Sequence, residues 1–557
     1  MDLAEPLAAN RADAAGGPGM VRQLRQVLLW PLRLMPTAGQ GPPWQVLRDL
    51  GDASPWREVV DEYTGDAGNF HERHYREFVA FLPYVQRFLY GEGRAGRSQP
   101  GGGAPMRVFR RFDIARVRTV ARPGDAPLEL DVVHVDLYFF FDVDLVLLNV
   151  EVSATTELSL TQAEEQLYRF GRGYPPGWDE QGHAMHCMAS VEWLDAAGNV
   201  LSHSDAQDGD RFLAHVAEHR APRVSGHWAF VLQPLVSDHS SEPGQLRFRQ
   251  IEYYRMPLMA WLALDDPRSL TRADFARLGL VAPAGGGEVM PYSEQSLGDF
   301  EQRFCYDRFW AEGGEAPNTR YLCSGHSLIV IGQAQASFYM CRDRGVLAQF
   351  RHQHFMLFLI AHFQKASLLM FSDKLAHALQ NLDVGSPSSV RRFKRAIRNT
   401  FESFLRFTHR YWFHEISEQA HVRALWHMCS QHLGLDPLYA EVKERVTDMN
   451  SYLDADALRR QANTVVRLTV VTIFGLIGTV STGFLGMNLI AEAEASRTMK
   501  LVYFMLVFVP TIALTFYTIA KSKRLSDFLD AISDERLTMK QKFGALVAVW
   551  RTAPDER

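Results

Sequence analysis

The sequence predicts an α+β membrane protein with a cytoplasmic mixed α/β domain, long stalk helices and two C-terminal transmembrane helices. Two segments without any charged residue, Leu468–Leu485 and Leu501–Ala520, lie close together near the C-terminus, and about 20 apolar residues suffice to cross the hydrocarbon core of a bilayer. The segment before them contains no glycine or proline from Leu438 until the first apolar segment, which is typical of a long helix. The N-terminal half mixes helical patterns with runs of β-branched and aromatic residues, as in a sheet covered by helices.

Length and composition narrow the class of protein. At 557 residues the chain exceeds what one hydrophobic core usually organises, so two or more domains are expected. Charged residues make up 22% of the chain and the formal net charge is −5, which gives no sign of a nucleic-acid partner. Five cysteines are scattered without a CxxC pair, which suits a reducing compartment. The first twenty residues contain no secretory signal pattern, so we expect the N-terminus to stay in the cytoplasm.

Residues 1–105 are predicted to contain a disordered start, a helical region and a glycine-rich linker. The disordered start extends to about Gly19, and Val21–Tyr90 is interpreted as helices. The linker, Gly91–Pro105, reads GEGRAGRSQPGGGAP and is flexible by composition.

Residues 106–345 are predicted to form the cytoplasmic α/β domain. A turn is expected at Asp142–Asp144 inside the longest strand pattern, and a helix over Leu160–Phe170. The predicted strands are Val108–Val120, Leu130–Ala154, Met185–Leu194, Trp228–Val236 and Ile251–Leu264.

Residues 346–467 are predicted to be a helical region that ends in the stalk. Val346–Leu382 is apolar at helical spacing, and a second helix is expected over Val390–Leu433, with Ser388 or Ser389 as its N-cap. The third helix follows Gly434–Pro437, and about 50 residues up to Met487 would make a rod roughly 75 Å long.

Basic residues predict the orientation in the membrane, because Lys and Arg concentrate on the cytoplasmic side. Arg459, Arg460 and Arg467 precede the first apolar segment, and a Lys-Ser-Lys-Arg run follows the second. Both termini are therefore predicted to lie in the cytoplasm of a multi-pass protein of the bacterial inner (plasma) membrane. The predicted parts are a first transmembrane pore helix at 468–488, a periplasmic loop at 489–500, a second transmembrane helix at 501–520 and a basic amphipathic cytoplasmic tail at 521–557.

A short motif at the end of the first transmembrane helix points to a known family. Gly486, Met487 and Asn488 directly precede a short acidic loop and the second apolar segment. With Thr479 and Gly483 they form a Thr-xxx-Gly-xx-Gly-Met-Asn pattern. This arrangement resembles the CorA family of divalent metal-ion (magnesium) transporters, of the two-transmembrane Gly-Met-Asn type.

The resemblance implies a homopentamer in the lipid bilayer, with five first transmembrane helices around one pore and no enzymatic activity. Mg²⁺ would be the transported ion, taken up down its electrochemical gradient, and Gly486, Met487 and Asn488 the selectivity filter. A ring of neutral Asn488 amides suits hydrated Mg²⁺, because this ion demands octahedral oxygen coordination and gives up its waters reluctantly. The candidate pore-lining residues below the filter are Thr479, Gly483, Leu476, Thr472 and Leu468.

Acidic residues on both sides of the membrane complete the prediction. Glu492 and Glu494 in the periplasmic loop would concentrate cations at the outer mouth of the pore. Members of the family also bind their own ion between cytoplasmic subunits, so the resemblance implies a regulatory role for Mg²⁺ in addition to its transport. The candidate stalk ligands are Glu444, Asp448, Asp454 and Asp456.

Two alternatives remain at the level of the sequence. Zn²⁺, Co²⁺ or Ni²⁺ could be the ion of a transporter of the same fold, since imidazole suits these metals better than Mg²⁺. The second alternative is a cytoplasmic sensor or enzyme anchored by a helical hairpin. The candidate zinc ligands of the first alternative are His183, His186 and Cys187, and a second set, spaced i, i+4 and i+7, is His414, Glu418 and His421. The acidic site of the anchored enzyme would use His134, Asp136, Asp142 and Asp144.

Overall fold

The computed structural model describes residues 19–36, 41–59, 72–91, 106–154, 156–252, 255–285, 292–383, 386–486, 496–506, 508–514 and 517. The chain divides into two compact units, Met1–Val446 and Thr447–Arg557. The predicted disordered start and glycine-rich linker, and the predicted tail at 521–557, lie outside the described residues.

The described strands of the first unit form a single fourteen-stranded sheet. They are β1 (Val21–Leu34), β2 (Trp56–Val59), β3 (Met106–Arg111), β4 (Arg116–Val120), β5 (Leu128–Phe140), β6 (Leu145–Ala154), β7 (Ser190–Leu194), β8 (Val200–His203), β9 (Leu235–Ser237), β10 (Leu246–Gln250), β11 (Leu258–Leu264), β12 (Cys305–Tyr306), β13 (Arg320–Cys323) and β14 (Ser327–Gln333).

The sheet is mixed and has β1 in its interior. Its main path runs β12-β13-β14-β11-β1-β6-β5-β4-β7-β8, with β2, β3, β9 and β10 paired off this path. The pairs β11–β14 and β9–β10 are parallel, and the other pairs are antiparallel. Such a mixed sheet with helices confirms the predicted α/β character.

The helices of the described residues are α1 (Pro43–Asp49), α2 (Glu72–Phe78), α3 (Pro83–Tyr90), α4 (Leu160–Arg169), α5 (Gly209–His219), α6 (Gly226–Leu232), α7 (Arg272–Leu280), α8 (Glu294–Phe304), α9 (Ser337–Met340), α10 (Val346–Gln349), α11 (Phe355–Gln380), α12 (Pro387–Arg410), α13 (Ala420–Leu433), α14 (Leu435–Gly486) and α15 (Arg497–Leu514). A π-helical turn, Phe350–His354, joins α10 to α11.

The prediction that residues 21–90 are helical is wrong for Val21–Leu34, which forms β1, and for the short strand β2. Leu24 and Leu28 recur at helical spacing after Val21, but both faces of β1 are buried. A strand buried on both faces has no alternation of apolar and polar residues that would reveal it. The sheet therefore begins well before residue 106, and the first unit extends beyond residue 345 to Val446.

Pro31 is tolerated in this interior strand because of where its missing N–H would point. The N–H of Leu29 donates to the carbonyl of Pro257 on the β11 side of β1 (2.9 Å). Residue 31 faces the same side, because backbone N–H groups alternate along a strand. On that side the pairing with β11 ends at Leu28 and the pairing with β10 begins at Leu32, so Pro31 falls in the gap between two partner strands.

Two further elements of the first unit were predicted correctly, and two were not. The turn at Asp142–Asp144 is confirmed between β5 and β6, and the helix over Leu160–Phe170 is confirmed as α4, which begins with a capping box at Ser159. The strand predicted over Trp228–Val236 is wrong in its first part, which is helix α6. The helix predicted over Val390–Leu433 is two helices, α12 and α13, and its N-cap is Ser386, whose hydroxyl accepts from the N–H of Ser389.

The apolar helix α11 packs on the sheet against β1 and β6. Together with α10 and the π-helical turn it is long and apolar enough to cross a membrane, but 83% of its apolar window is buried inside the protein. A helix that is apolar all round is expected in the centre of a core. Its hydrophobicity is therefore explained by the packing of the first unit.

Buried charges join β1 to β6. Nη1 of Arg25 lies 2.7 Å from Oε1 of Glu151, and both side chains are more than 90% buried. Nε of Arg351 lies 3.5 Å from the same oxygen, and Nε2 of His134 lies 3.9 Å from Oε2 of Glu151. Burial lowers the pKa of Arg25, while the neighbouring carboxylate opposes that shift. Glu151 is thus the shared counter-ion of this part of the sheet.

Replacing Glu151 with Ala should destabilise the first unit, because it leaves Arg25 buried without its carboxylate. Removal of one partner of a buried ion pair costs about 3–5 kcal/mol. Urea unfolding should therefore show a clearly lower midpoint than for the wild-type protein. Glu129→Ala is the matched control, because Glu129 pairs with Arg118 at the exposed surface (2.8 Å), where such pairs contribute little. Equal midpoints for the two variants would contradict this account of the sheet.

Candidate ion pathway

The helix α14 leads directly into the Gly-Met-Asn motif. It runs unbroken from Leu435 to Gly486, a length of 52 residues, or about 78 Å at 1.5 Å per residue. This confirms the prediction of one long helix without interruption. Met487 and Asn488, and the loop residues Glu492 and Glu494, lie outside the described residues, so the filter and the outer mouth remain predictions.

The five predicted pore-lining residues lie on one exposed face of α14. At 3.6 residues per turn, their positions fall within an arc of about 80°. Leu468 and Leu476 are 66% and 64% exposed, and Thr472, Thr479 and Gly483 are exposed as well. In the part of the chain that the structure describes, no element covers this face, which leaves it open to water, lipid or another subunit. We refer to these five residues as the open stripe.

The other side of α14 packs closely on α15. Val470 is only 3% exposed, and Gly478 is buried. A Cβ atom placed on Gly478 would lie 2.6 Å from Cγ2 of Thr511 in α15, whereas a Cβ on Gly475 would meet no atom within 4 Å. Small residues allow such close approach between helices. The two helices thus form a hairpin whose contact face excludes the open stripe.

The hydroxyl groups of the open stripe are oriented by the helix itself. Oγ1 of Thr472 donates to the carbonyl of Leu468 (2.8 Å), and Oγ1 of Thr479 donates to the carbonyl of Gly475 (2.9 Å). A hydroxyl that uses its proton in this way keeps lone pairs as acceptors. Each threonine can therefore accept a hydrogen bond from the water shell of a cation.

The helix α15 exposes its apolar surface. It is 18 residues long, and none of its apolar window is buried. Leu501, Phe504, Leu506 and Val509 are among its large side chains, and each is more than half exposed. This exposure distinguishes α15 from the segment Val346–Gln380. That segment is also long and apolar enough to cross a membrane, but 83% of its apolar window is buried within the first unit.

The stalk carboxylates whose side chains the structure describes are exposed. Glu444, Asp448 and Asp454 are exposed on α14, and Oδ2 of Asp454 accepts a hydrogen bond from Nδ2 of Asn450 (3.1 Å). The side chain of Asp456 lies outside the described part of the structure. Throughout that part, no three His, Cys, Asp or Glu side chains are grouped to hold a metal ion. A regulatory site on the stalk, shared between subunits as the CorA resemblance implies, remains a prediction.

The first group of candidate zinc ligands is dispersed. His183 faces Asp179, with 3.4 Å between Nδ1 and Oδ2, whereas Nδ1 of His186 meets the hydroxyl of Tyr168. Burial raises the pKa of Cys187 to about 12, which disfavours the thiolate that zinc requires.

The second group of candidate zinc ligands is not on one helical face, so that prediction is wrong. Residues 411–419 separate α12 from α13, which leaves His414 and Glu418 outside any helix. Nδ1 of His414 lies 3.5 Å from Oδ1 of Asp436. Nε2 of His421 instead meets Nε2 of His354 in the π-helical turn (3.1 Å), and burial lowers the pKa of His421 to about 4.

The acidic residues proposed for an enzyme site are divided among separate ion pairs. Asp136 is buried and accepts two hydrogen bonds from Arg110 (2.6 and 3.1 Å). Asp142 pairs with Arg410 (2.7 Å) and Asp144 with Lys374 (2.7 Å), so the β5–β6 turn is held to α12 and α11. His134 lies beside Glu151, as described above. The three carboxylates thus each have a basic partner of their own and are not grouped around one site.

One histidine pair was missed by the sequence reasoning. His215 and His219 are spaced i, i+4 in α5, and their ring centroids are 4.5 Å apart. An H-x₃-H spacing within a predicted helix could have identified them, but the region 209–219 was not predicted to be helical.

No family model, no curated protein and no solved structure matches this chain. The likeness to the CorA family is therefore carried by the residues of the Gly-Met-Asn region itself.

The contact between α14 and α15 predicts different effects for two neighbouring glycines. Gly475→Ala should be tolerated, because its Cβ meets no neighbour and alanine favours the helix by about 1 kcal/mol over glycine. Gly478→Ala should lower the thermal midpoint of the detergent-purified protein, because its Cβ would collide with Thr511. Circular dichroism melting of the two variants provides the measurement. A Gly478→Ala protein as stable as Gly475→Ala would contradict the close contact.

Proposed function

We propose that the protein is a subunit of an oligomeric channel or transporter for divalent cations, with Mg²⁺ as the principal ion. The subunits assemble as a homopentamer in the bacterial inner membrane, with both termini in the cytoplasm. The pentamer and the location are inferred from the CorA-like motif and from the basic flanks of the two apolar segments.

The observation that carries this proposal is the division of α14 into two faces. The open stripe is exposed along the last turns before Gly486, and the opposite side is occupied by α15. If several copies of α14 are arranged around one axis, their open stripes line that axis and the α15 helices form the outer ring. Such an arrangement leaves the α14–α15 contacts of each chain unchanged.

The chemistry of the open stripe suits a hydrated cation. Thr472 and Thr479 offer hydroxyl acceptors, and Gly483 leaves room near the filter. Leu468 and Leu476 would form apolar constrictions, which can close a pore by dewetting. A stripe of hydroxyls and small residues contacts the water shell without stripping it, which matters because Mg²⁺ dehydrates reluctantly.

The uncovered apolar surface of α15 supports a position facing lipid. Its large side chains would otherwise remain in water, at a cost of about 1.5–3 kcal/mol for each full-size apolar side chain. An inside-negative membrane potential would then drive the uptake of a doubly charged ion by about 4–5 kcal/mol per 100 mV. No separate energy source is required for entry in this direction.

The selectivity filter is tested by Asn488→Ala in reconstituted vesicles. We expect selective Mg²⁺ flux to be abolished while five chains stay assembled, because the amide contacts the hydrated ion and does not hold the subunits together. Flux is followed with an entrapped Mg²⁺ indicator, and assembly by the mass of the detergent-solubilised complex. Wild-type rate and ion preference in the Asn488→Ala protein would show that the motif is not the filter, and a stable dimer would count against the pentamer.

The open stripe is tested by a matched pair of hydroxyl deletions. Thr479→Val should reduce the Mg²⁺ flux several-fold, because it removes an acceptor from the open stripe. Thr482→Val removes a hydroxyl that also donates to its own helix, to the carbonyl of Gly478 (2.9 Å), but Thr482 is only partly exposed and lies toward the α15 side.

The Thr482→Val protein should therefore retain flux close to that of the wild-type protein. If Thr482→Val reduces the flux as much as Thr479→Val does, the assignment of the two faces is incorrect.

A further inference from the structure

The first unit contains a cavity of about 730 Å³ that is remote in sequence from the proposed pore helix. It lies among β8, α5, α6, β9 and the residues that follow β9. His203, His215 and His219 line it, together with serines after β9. A space of this size accommodates a small ligand or a hydrated ion.

His215 and His219 present their rings to this cavity from consecutive turns of α5. They are spaced i, i+4, so they lie on the same helical face, and their ring centroids are 4.5 Å apart. Two histidines at this spacing on a helix can bind one metal ion, with each Zn–N bond about 2.0–2.1 Å long. The backbone therefore provides two ligands in a suitable relative position.

His215 has a free nitrogen atom and a lowered pKa, as expected of a metal ligand. Its Nε2 atom is buried and makes no hydrogen bond within the described protein. Burial lowers the pKa of His215, and the nearby His219 and Arg223 lower it further. A buried nitrogen without a partner is costly, and coordination of a metal ion would compensate for that cost.

The charges of the cavity lining favour a cation over an anion. Three carboxylates, those of Asp205, Glu218 and Glu242, and two arginines line it. Both arginines approach the same carboxylate, since Arg223 lies 2.5 Å and Arg211 3.6 Å from Oδ2 of Asp205. Glu218 lies 3.7 Å from Nε2 of His219. The arginines are thus partly neutralised, and a carboxylate remains beside the histidine pair.

We propose that His215 and His219 bind one divalent transition-metal ion, Zn²⁺ being the best match for two imidazoles, with water completing the coordination. Water is needed because no described group of three His, Cys, Asp or Glu side chains is arranged for a metal. The site lies in the first unit and uses imidazole nitrogens, whereas the proposed pore uses oxygen ligands. It can therefore distinguish Zn²⁺ from Mg²⁺ independently of the pore.

The test is Zn²⁺ binding by the full-length, chelator-treated protein in competition with a chromophoric chelator. The double variant His215→Gln/His219→Gln should bind one Zn²⁺ fewer per chain than the wild-type protein, and His215→Gln alone should weaken that Zn²⁺ about tenfold or more. His409→Gln is the control, because His409 is exposed on α12 and should leave binding unchanged. Millimolar Mg²⁺ should not displace the ion.

A second readout keeps the test independent of the folding of the variants. Cu²⁺ added to the wild-type protein should give an electron paramagnetic resonance spectrum with two coordinated nitrogens, and Zn²⁺ should remove it. The proposal is overturned if the double variant keeps the wild-type Zn²⁺ stoichiometry, if the spectrum shows only oxygen ligands, or if inorganic phosphate rather than Zn²⁺ occupies the cavity. Since binding is measured without flux, failure here leaves the proposed transport function unaffected.

Discussion

The burial of apolar surface on α14 and α15 is the constraint on which the proposed assembly depends. In one chain α15 has no buried part in its apolar window, and Leu468 and Leu476 of α14 are about two-thirds exposed. Side chains of this size gain on the order of 1 kcal/mol or more each when they leave water. A membrane and further subunits together would cover both surfaces, with lipid against α15 and other copies of the chain around α14.

Two apolar helices of this protein show why hydropathy alone does not define a membrane span. Val346–Gln380 and α15 satisfy the same criteria of length and composition, yet 83% of one apolar window and none of the other is buried. The first is explained by packing against β1 and β6. The position of Gly478 against Thr511 adds a second difference, since α15 is held to its neighbour by a close contact at a glycine and not by a surrounding core.

The parts of the fold that could be predicted are those whose sequence pattern has a single physical explanation. The unbroken α14 follows from the absence of glycine and proline between Leu438 and Gly475, and the β5–β6 turn from the polar residues between two apolar runs. The strand β1 could not be recognised, because burial on both faces removes the alternation that distinguishes a strand. The helix α6 was mistaken for a strand because Trp228 and Val231 are favoured in strands when tertiary packing is unknown.

The candidate site could be predicted only in part from the sequence. Thr472, Leu476 and Thr479 were named as pore-lining candidates from the sequence, and the structure places them on one exposed face of α14. The histidines of α5 were not identified, because their pairing depends on a helix that the sequence reasoning did not find. The predicted face of His414 and His421 fails for the opposite reason, since the helix assumed there is interrupted.

The most direct measurement of the central claim is Mg²⁺ uptake by vesicles that contain the wild-type protein, at a series of imposed membrane potentials. The account predicts uptake above that of protein-free vesicles, with an initial rate that rises as the interior becomes more negative, because two positive charges cross the membrane with each ion. Uptake equal to that of protein-free vesicles at every potential would contradict the assignment of the protein as a cation pathway.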